Sequence, residues 1–453
     1  DKVNPSNFNK LIQEAISLHS QGEIDIAKKN YLQIINSGIK DPRIFNNYGL
    51  IKLNEGNIVS SIEFFQKTIN LFPDFIDSYN NIGIAFLRQN MLSEAEYNLK
   101  IAIKLNPNFA QAFHNLASVL KDQGKYKEAK VYALKAIQIF PKYVNGFITL
   151  GMILIKLGDL LEAEQRILYA ISLQPRSSIA YNALGDIQLQ SLKYNDAEIS
   201  IKKAIEIDSH FVEAYINLAR VLSRVDRYDE AEIYTRKAIA LQPKSLIAID
   251  NLSSILIQQK KFEKAEINIR KSLEIKPNSA VSNHHMGILL LNIENFNTAL
   301  EYTKKAISFS PDFSDAFLTM GDIYINLGLL DEAYKSIYRS ILLAKDSTQA
   351  YFLMSLLKKK TIKNYDWLDY LFSEDILHNK NTRELVNIYF ARSNILHGNK
   401  RFDDSAKTLQ VSNNLKLKYS PSDADELIIN SKFIIDNYDR YHKIVKKSPN
   451  KRN

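Results

Sequence analysis

Residues 110–143 read AQAFHNLASVLKDQGKYKEAKVYALKAIQIFPKY, and this stretch decides the fold. Apolar residues recur at helical spacing in two runs, Phe113, Leu116, Ala117 and Leu120, then Tyr126, Ala129, Ala133, Ala136 and Ile137. Gly124 separates the runs and Pro141 follows the second. Glycine tolerates the left-handed conformation that ends a helix, and proline cannot continue one, so the stretch predicts a helical hairpin.

The same hairpin repeats along the chain with a period of 34 residues. Prolines stand at Pro73, Pro107, Pro141, Pro175, Pro243, Pro277 and Pro311, with Ser209 and Lys345 in the remaining slots. Gly49, Gly83, Ala117, Gly151, Gly185, Ala219, Ser253, Gly287 and Gly321 form a second series on the same step. Small residues at Ala27, Ser61, Ala95, Ala129, Ala163, Ala197, Ala231, Ala265, Ala299 and Ala333 form a third, and aromatics from Phe45 to Phe317 a fourth. Units therefore begin at residues 42, 76, 110 and onward to 314, with a degenerate first copy at 8–41. A hairpin cannot bury its apolar face alone, so about ten of them must stack into an all-α solenoid. Small residues are needed where two helices cross within ~8–10 Å. Large ones at the seventeenth position, such as Ile58, Tyr126, Tyr194 and Phe262, are read as filling the gap between neighbours.

The pattern resembles the tetratricopeptide repeat family over residues 8–347. The resemblance implies a right-handed superhelix whose first helices line a concave face, exposing the second, fifth, sixth and ninth positions of each unit. The sixth position reads Asn47, Asn81, Asn115, Thr149, Ala183, Asn217, Asn251, His285 and Thr319. Mid-helix Asn has poor helix propensity, so its recurrence at one register asks for a reason. One reading is a ladder of amides holding the backbone of an extended peptide, since a primary amide offers both donors and an acceptor. That register is similar to the asparagine ladder in the repeat arm of O-GlcNAc transferase. It places peptide-binding residues at Asn47, Asn81 and Asn115, with Asn217 and Asn251 as a second stretch and His114, Asp186 and Arg220 as specificity neighbours. The other reading is that these amides cap or order neighbouring helices. The fifth position (Asn46, Asn80, His114, Ile148, Asn182, Ile216, Asp250, His284, Leu318) holds no Lys, which argues against a clamp for a peptide carboxylate.

Composition narrows the function further. The 453 residues are 45% hydrophobic and 24% charged, and no apolar run is long enough for a membrane helix. Cys is absent, which removes disulfides, thiolate metal sites and cysteine nucleophiles. The net charge of +9 is concentrated at the end: residues 348–453 carry 19 basic and 12 acidic side chains, the first 347 carry 40 and 38. A near-neutral array disfavours nucleic acid as a partner. No phosphate-binding loop, dinucleotide fingerprint, HExxH or G-x-S-x-G occurs, so no catalytic residue, metal or cofactor is expected. Asn251 opens an Asn-Leu-Ser sequon, but a helix interior is a poor acceptor. A cytoplasmic location is the expectation, with a trimmed leader left open because the first residue is Asp1.

Beyond residue 345 the period is read as failing. A first helix near 349–357, an aromatic cluster around Trp367, and a hairpin at 385–396 and 402–417 with Ala391 and Ala406 as its small residues are expected. A final helix from Pro421 to about Val445 and a basic tail at 446–453 follow. Residues 348–445 are read as a helical cap on the array. The stretch 388–418 also resembles the connector of bacterial tetratricopeptide sulfotransferases, which implies a docking arm for a downstream catalytic domain. The favoured function is a scaffold for protein segments, with that docking arm as the alternative.

Overall fold

The computed structural model describes residues 5–357, 365–378 and 380–419. The expected final helix after Pro421 and the basic tail lie outside them. The chain divides into two compact units, Asp1–Leu241 and Gln242–Asn453.

The first unit is a stack of seven helical hairpins. They are α1 (Pro5–Ser20) with α2 (Ile24–Asn36), α3 (Pro42–Asn54) with α4 (Ile58–Leu71), and α5 (Ile76–Arg88) with α6 (Leu92–Leu105). Then come α7 (Ala110–Asp122) with α8 (Tyr126–Ile139), and α9 (Val144–Leu157) with α10 (Leu160–Leu173). α11 (Ser178–Gln190) with α12 (Tyr194–Ile207) and α13 (Val212–Arg224) with α14 (Tyr228–Leu241) complete it. From Pro42 onward each odd-numbered helix begins on the first residue of its 34-residue unit. Helices of this length are marginal alone in water, so packing holds them. Leu116, Leu120, Leu150, Ile153 and Ile167 lie in one continuous core that crosses hairpin boundaries.

The small residues have the crossing role the sequence assigns them. A Cβ added at Gly83 would come within 2.7 Å of Leu99, and one at Gly151 within 2.6 Å of Ile167. Sixteen residues on, the opposing side chain is Phe65, Leu99, Ile167 or Ile201 when the crossing residue is glycine. Opposite Ala117 it shrinks to Ala133, and both alanines are fully buried. Volume is exchanged across the contact rather than lost.

Between the two helices of every hairpin one residue takes a left-handed conformation. It is glycine at Gly22, Gly56, Gly124, Gly158 and Gly328, with φ from 73° to 85°. Elsewhere at the same register it is Asn90, Leu192, Asp226, Lys260 or Glu294, with φ of 57° to 62°.

The second unit contains α15 (Leu246–Gln258) with α16 (Phe262–Ile275), α17 (Ala280–Asn292) with α18 (Phe296–Phe309), and α19 (Ser314–Asn326) with α20 (Leu330–Leu343). Then follow α21 (Thr348–Leu356), the short α22 (Asp366–Phe372), a 3-10 turn at Asp375–Leu377, and the hairpin α23 (Thr382–Gly398) with α24 (Phe402–Tyr419). Here the structure corrects the reading of the sequence. α19, α21 and α23 start at residues 314, 348 and 382, so the 34-residue step persists beyond residue 345. What changes is that α22 is a truncated second helix and α23 is one turn longer than its counterparts. The extra turn shifts α23 by four residues against its neighbour: Asn387 donates to Gln349 at 3.0 Å and Asn394 to Ser355 at 3.0 Å. In that shifted register the small crossing residues are Ser393 and Ser405, buried and hydrogen-bonded to each other at 3.0 Å. Ala391 is buried beside them, but Ala406 points to solvent. Helix α23 starts with a capping box in which Asn381 and Glu384 satisfy each other's backbone N–H. Trp367, Leu371, Ile376, Ile388 and Ala391 share a core with Tyr334, Ile337 and Ile341 of α20, so this segment covers the last regular hairpin.

All regular structure among the described residues is helical. None of the described helices is long and apolar enough to cross a membrane.

Candidate functional site

The residues that sequence reasoning singled out lie on the first helices, and the structure brings most of them into a polar seam. The fifth and sixth positions are less exposed than expected. Asn46, Asn80, Ile148, Ile216, Asp250 and His284 are buried, as is Asn81. Asn47, Asn115, Asn217 and Asn251 are half-buried. The physical reason is stacking: the fifth position of one unit faces the sixth position of the next, 35 residues on.

That spacing organises the hydrogen bonds. Asn81 Nδ2 donates to Asn46 Oδ1 at 3.0 Å, and Asn115 Nδ2 to Asn80 Oδ1 at 2.8 Å. Asn217 Nδ2 donates to Asn182 Oδ1 at 3.0 Å. In the second unit His284 Nε2 and Thr319 Oγ1 make the same pair at 2.8 Å. Within a helix, Asn46 donates to Asn47 at 3.4 Å and Asn80 to Asn81 at 3.3 Å, so the second, third and fourth repeats share one amide chain. Asn47 Nδ2 extends it to the Tyr31 hydroxyl at 3.3 Å. A third-position serine supports the acceptor in two places. Ser78 donates to Asn46 at 3.0 Å, and Ser282 to Asp250 at 2.9 Å, where Ser272 adds a second bond at 2.8 Å.

His114, Asp186 and Arg220, the expected specificity neighbours, also lie on the first helices. Arg220 Nη1 donates to Asn217 Oδ1 at 2.9 Å and stands 3.5 Å from Asp186, linking the seam to its flank. Side-chain exposures of 47% for Arg220 and 24% for Asp186 leave this pair open to solvent. His114 packs edge-on against Tyr143, with ring centroids 5.3 Å apart. Burial, aided by the Lys121 charge, pushes its pKa down to about 4, so it is neutral near neutral pH. The His114 and His285 Nδ1 atoms and the Asn251 amide nitrogen are buried and lack hydrogen-bond partners. His284 and His285 stack with centroids 6.2 Å apart, and no cluster among the described residues has the composition of a metal site. Asn251 lies in the middle of α15, as the sequence indicates, where a glycosylation acceptor is poorly presented.

The acceptors Asn46, Asn80 and Asn182 were not singled out from sequence. Their signal is a polar residue at the fifth position matched by a donor 35 residues later, a correlation one step off the repeat period.

Sequence models of the tetratricopeptide repeat match residues 110–143, 248–279 and 314–347, residues 212–245, and residues 148–210. The chain carries tetratricopeptide repeats, and its fold is the all-α solenoid they build. Among solved structures it is similar to the Cut9–Hcn1 hetero-tetramer of the APC/C, with 14% identity over 88% of this chain and 82% of that one and a TM-score of 0.51. It is also similar to yeast Tom70, with 16% identity over 90% and 100% of the two chains and a TM-score of 0.46. A tetratricopeptide repeat protein from Parabacteroides merdae aligns at 20% identity over 55% and 98%, with a TM-score of 0.45. No curated protein matches the sequence.

Proposed function

We propose that this chain is a protein-interaction scaffold that receives an extended peptide segment along the face of its first helices. The observation that carries this reading is the state of the half-buried amides Asn47, Asn115 and Asn217. Each spends one N–H on a neighbour, which fixes its plane, and keeps the other N–H for a ligand. A fixed amide binds at lower entropic cost than a free one. Asn81 positions its neighbours from a buried site, and Asn251 contributes in the second unit. His114, neutral, and the Arg220–Asp186 pair supply the side-chain selectivity. Main-chain recognition of this kind tolerates varied sequences, which suits a scaffold.

The test is affinity and thermal midpoint measured together for a panel of unstructured peptides on the wild type, Asn115→Ala and Asn217→Ala. Each substitution is expected to weaken binding severalfold beyond any effect on folding. Unchanged affinity with a lowered midpoint shows that the seam serves only the stack, and refutes the proposal.

A further inference from the structure

The second helices form the opposite face of the stack, and their repetition makes each one a control for the others. At positions twenty-one and twenty-five four of the ten second helices from α2 to α20 pair a Glu with a Lys or Arg one turn later. Glu96–Lys100 stands at 2.6 Å, Glu198–Lys202 at 2.6 Å, Glu232–Arg236 at 2.8 Å and Glu266–Arg270 at 2.6 Å. Helices α8 and α10 are neighbours that both lack this pair, as α2, α4, α18 and α20 also do. They hold Lys130 with Leu134 and Glu164 with Leu168, and both leucines are exposed.

A groove of about 980 Å³ opens between α8 and α10. Val131, Leu134, Phe147 and Tyr169 give it apolar walls and floor, and Lys135 and Arg166 stand on its border. The corresponding groove between α4 and α6 is about 530 Å³, with Gln66 in the place of Leu134 and Asn98 in the place of Arg166. The α8–α10 groove thus differs from the α4–α6 groove in size, in polarity and in charge.

Two properties define what fits it. Both walls are helices whose backbone groups are already bonded, so an extended peptide would lay unpaired amides over an apolar floor, at a cost in desolvation. A helical ligand brings its backbone bonds satisfied and presents side chains at i, i+4 and i+7. The border is cationic. Lys135 reaches only the Gln138 side chain at 3.2 Å, and Arg166 bonds Glu162 through Nη2 at 3.1 Å while its Nε has no partner. Residues 125–143 carry five lysines against the single acid Glu128, and Glu162 is already shared between Lys130 and Arg166. Ion pairs on α6 and α12 flank the site, so the apolar surface is a bounded groove rather than a plane suited to a bilayer.

We infer that this groove is a second docking site, which takes one amphipathic helix of a partner protein, apolar on one face and acidic along its border. It is independent of the first-helix face, so either can fail without the other. The probe is a labelled synthetic helical peptide with Leu at i, i+4, i+7 and i+11 and Glu on both flanks, titrated against the full chain by fluorescence anisotropy. A matched peptide with every Glu replaced by Lys is the control. The acidic peptide is expected to bind saturably to the wild type and to Ile199→Glu, a change at an exposed position of α12. Leu134→Glu and Lys135→Glu should each weaken it by about tenfold or more. Leu134→Glu lies one turn from Lys130 and is compatible with the helix. If its thermal midpoint nevertheless falls, Lys135→Glu decides the matter alone. Absence of binding to the wild type, equal binding to both groove variants, or equal binding of the lysine peptide overturns the inference. So does sedimentation showing wild-type self-association that Leu134→Glu abolishes, because the occupant is then a second copy of this chain.

Discussion

Breaking the amide seam at Asn80–Asn115 gives a sharp prediction because the two ends differ in burial. Asn80 is 5% exposed, and its Oδ1 accepts the 2.8 Å bond from Asn115. Asn115→Ala strands that buried acceptor, at an expected cost of about 1–3 kcal/mol. Asn80→Ala instead strands the Nδ2 of half-buried Asn115, where water can replace the lost partner, and removes the weaker 3.3 Å bond to Asn81. Its cost should lie nearer ~0.5–1.5 kcal/mol. The double mutant removes both partners, so it should be more stable than the sum of the singles predicts by about 1 kcal/mol. Long repeat arrays unfold in parts, so a single global transition is a poor readout. Native-state hydrogen exchange of the α5 and α7 amides reads the change locally. Additivity of the two substitutions within about 0.5 kcal/mol would refute the reasoning.

Four further outcomes are expected. Gly151→Ala should destabilise by about 1–3 kcal/mol despite its gain in helix propensity, and adding Ile167→Ala should restore part of the loss by reproducing the Ala117–Ala133 contact; chemical denaturation of the three variants checks it. Trp367→Ala should cost about 3–5 kcal/mol locally, read as faster proteolysis within 348–398, because the ring is 3% exposed in the terminal core. His114 and His284 have pKa values pushed by burial to about 4 and about 3, against 6.5 in an unfolded chain. The unfolded state therefore binds more protons, stability held above pH 6.5 is lost as pH falls toward those values, and His284→Gln should flatten the acid side of a midpoint-against-pH curve. Arg220→Ala should weaken peptide binding while leaving the midpoint nearly unchanged, since its partners Asp186 and Asn217 remain hydrated at the surface.

The architecture was legible because it is written many times. A proline, a small residue and an aromatic repeated on one period average out local noise, and helix starts from Pro42 to Ser314 follow directly. The amide register was legible as a row but not as a seam. A 34-residue period aligns equivalent positions, whereas stacking joins the fifth position to the sixth across 35 residues. Asn46 and Asn81 therefore look like members of separate columns until the hairpins are packed. The last hairpin misled for a related reason. One extra turn in α23 moves the crossing pair to Ser393 and Ser405, and a serine at such a place does not stand out in sequence as alanine does. The α8–α10 groove depends on two successive leucines, Leu134 and Leu168, at a position that holds a cation in half of the units, and its meaning appears only once the walls are in place.

The left-handed residue between the helices of each hairpin has a consequence for how such an array can change. At Gly22, Gly56, Gly124, Gly158 and Gly328 an added Cβ would meet nothing within 4 Å, so the position touches neither face of the stack. A side chain there carries a backbone cost of about 1–2 kcal/mol, least for Asn90 and Asp226; Asp226 offsets part of it by accepting the Tyr228 hydroxyl at 2.7 Å. Glycine recovers that energy but gives part of it back through the freedom of the unfolded chain. The turn thus works as a dial on each repeat's propensity to open, set independently of what either surface recognises. Repeats of one chain are free to drift apart in local stability, and a designer wishing to stiffen or loosen a single hairpin has a residue to change that leaves the packing between helices untouched.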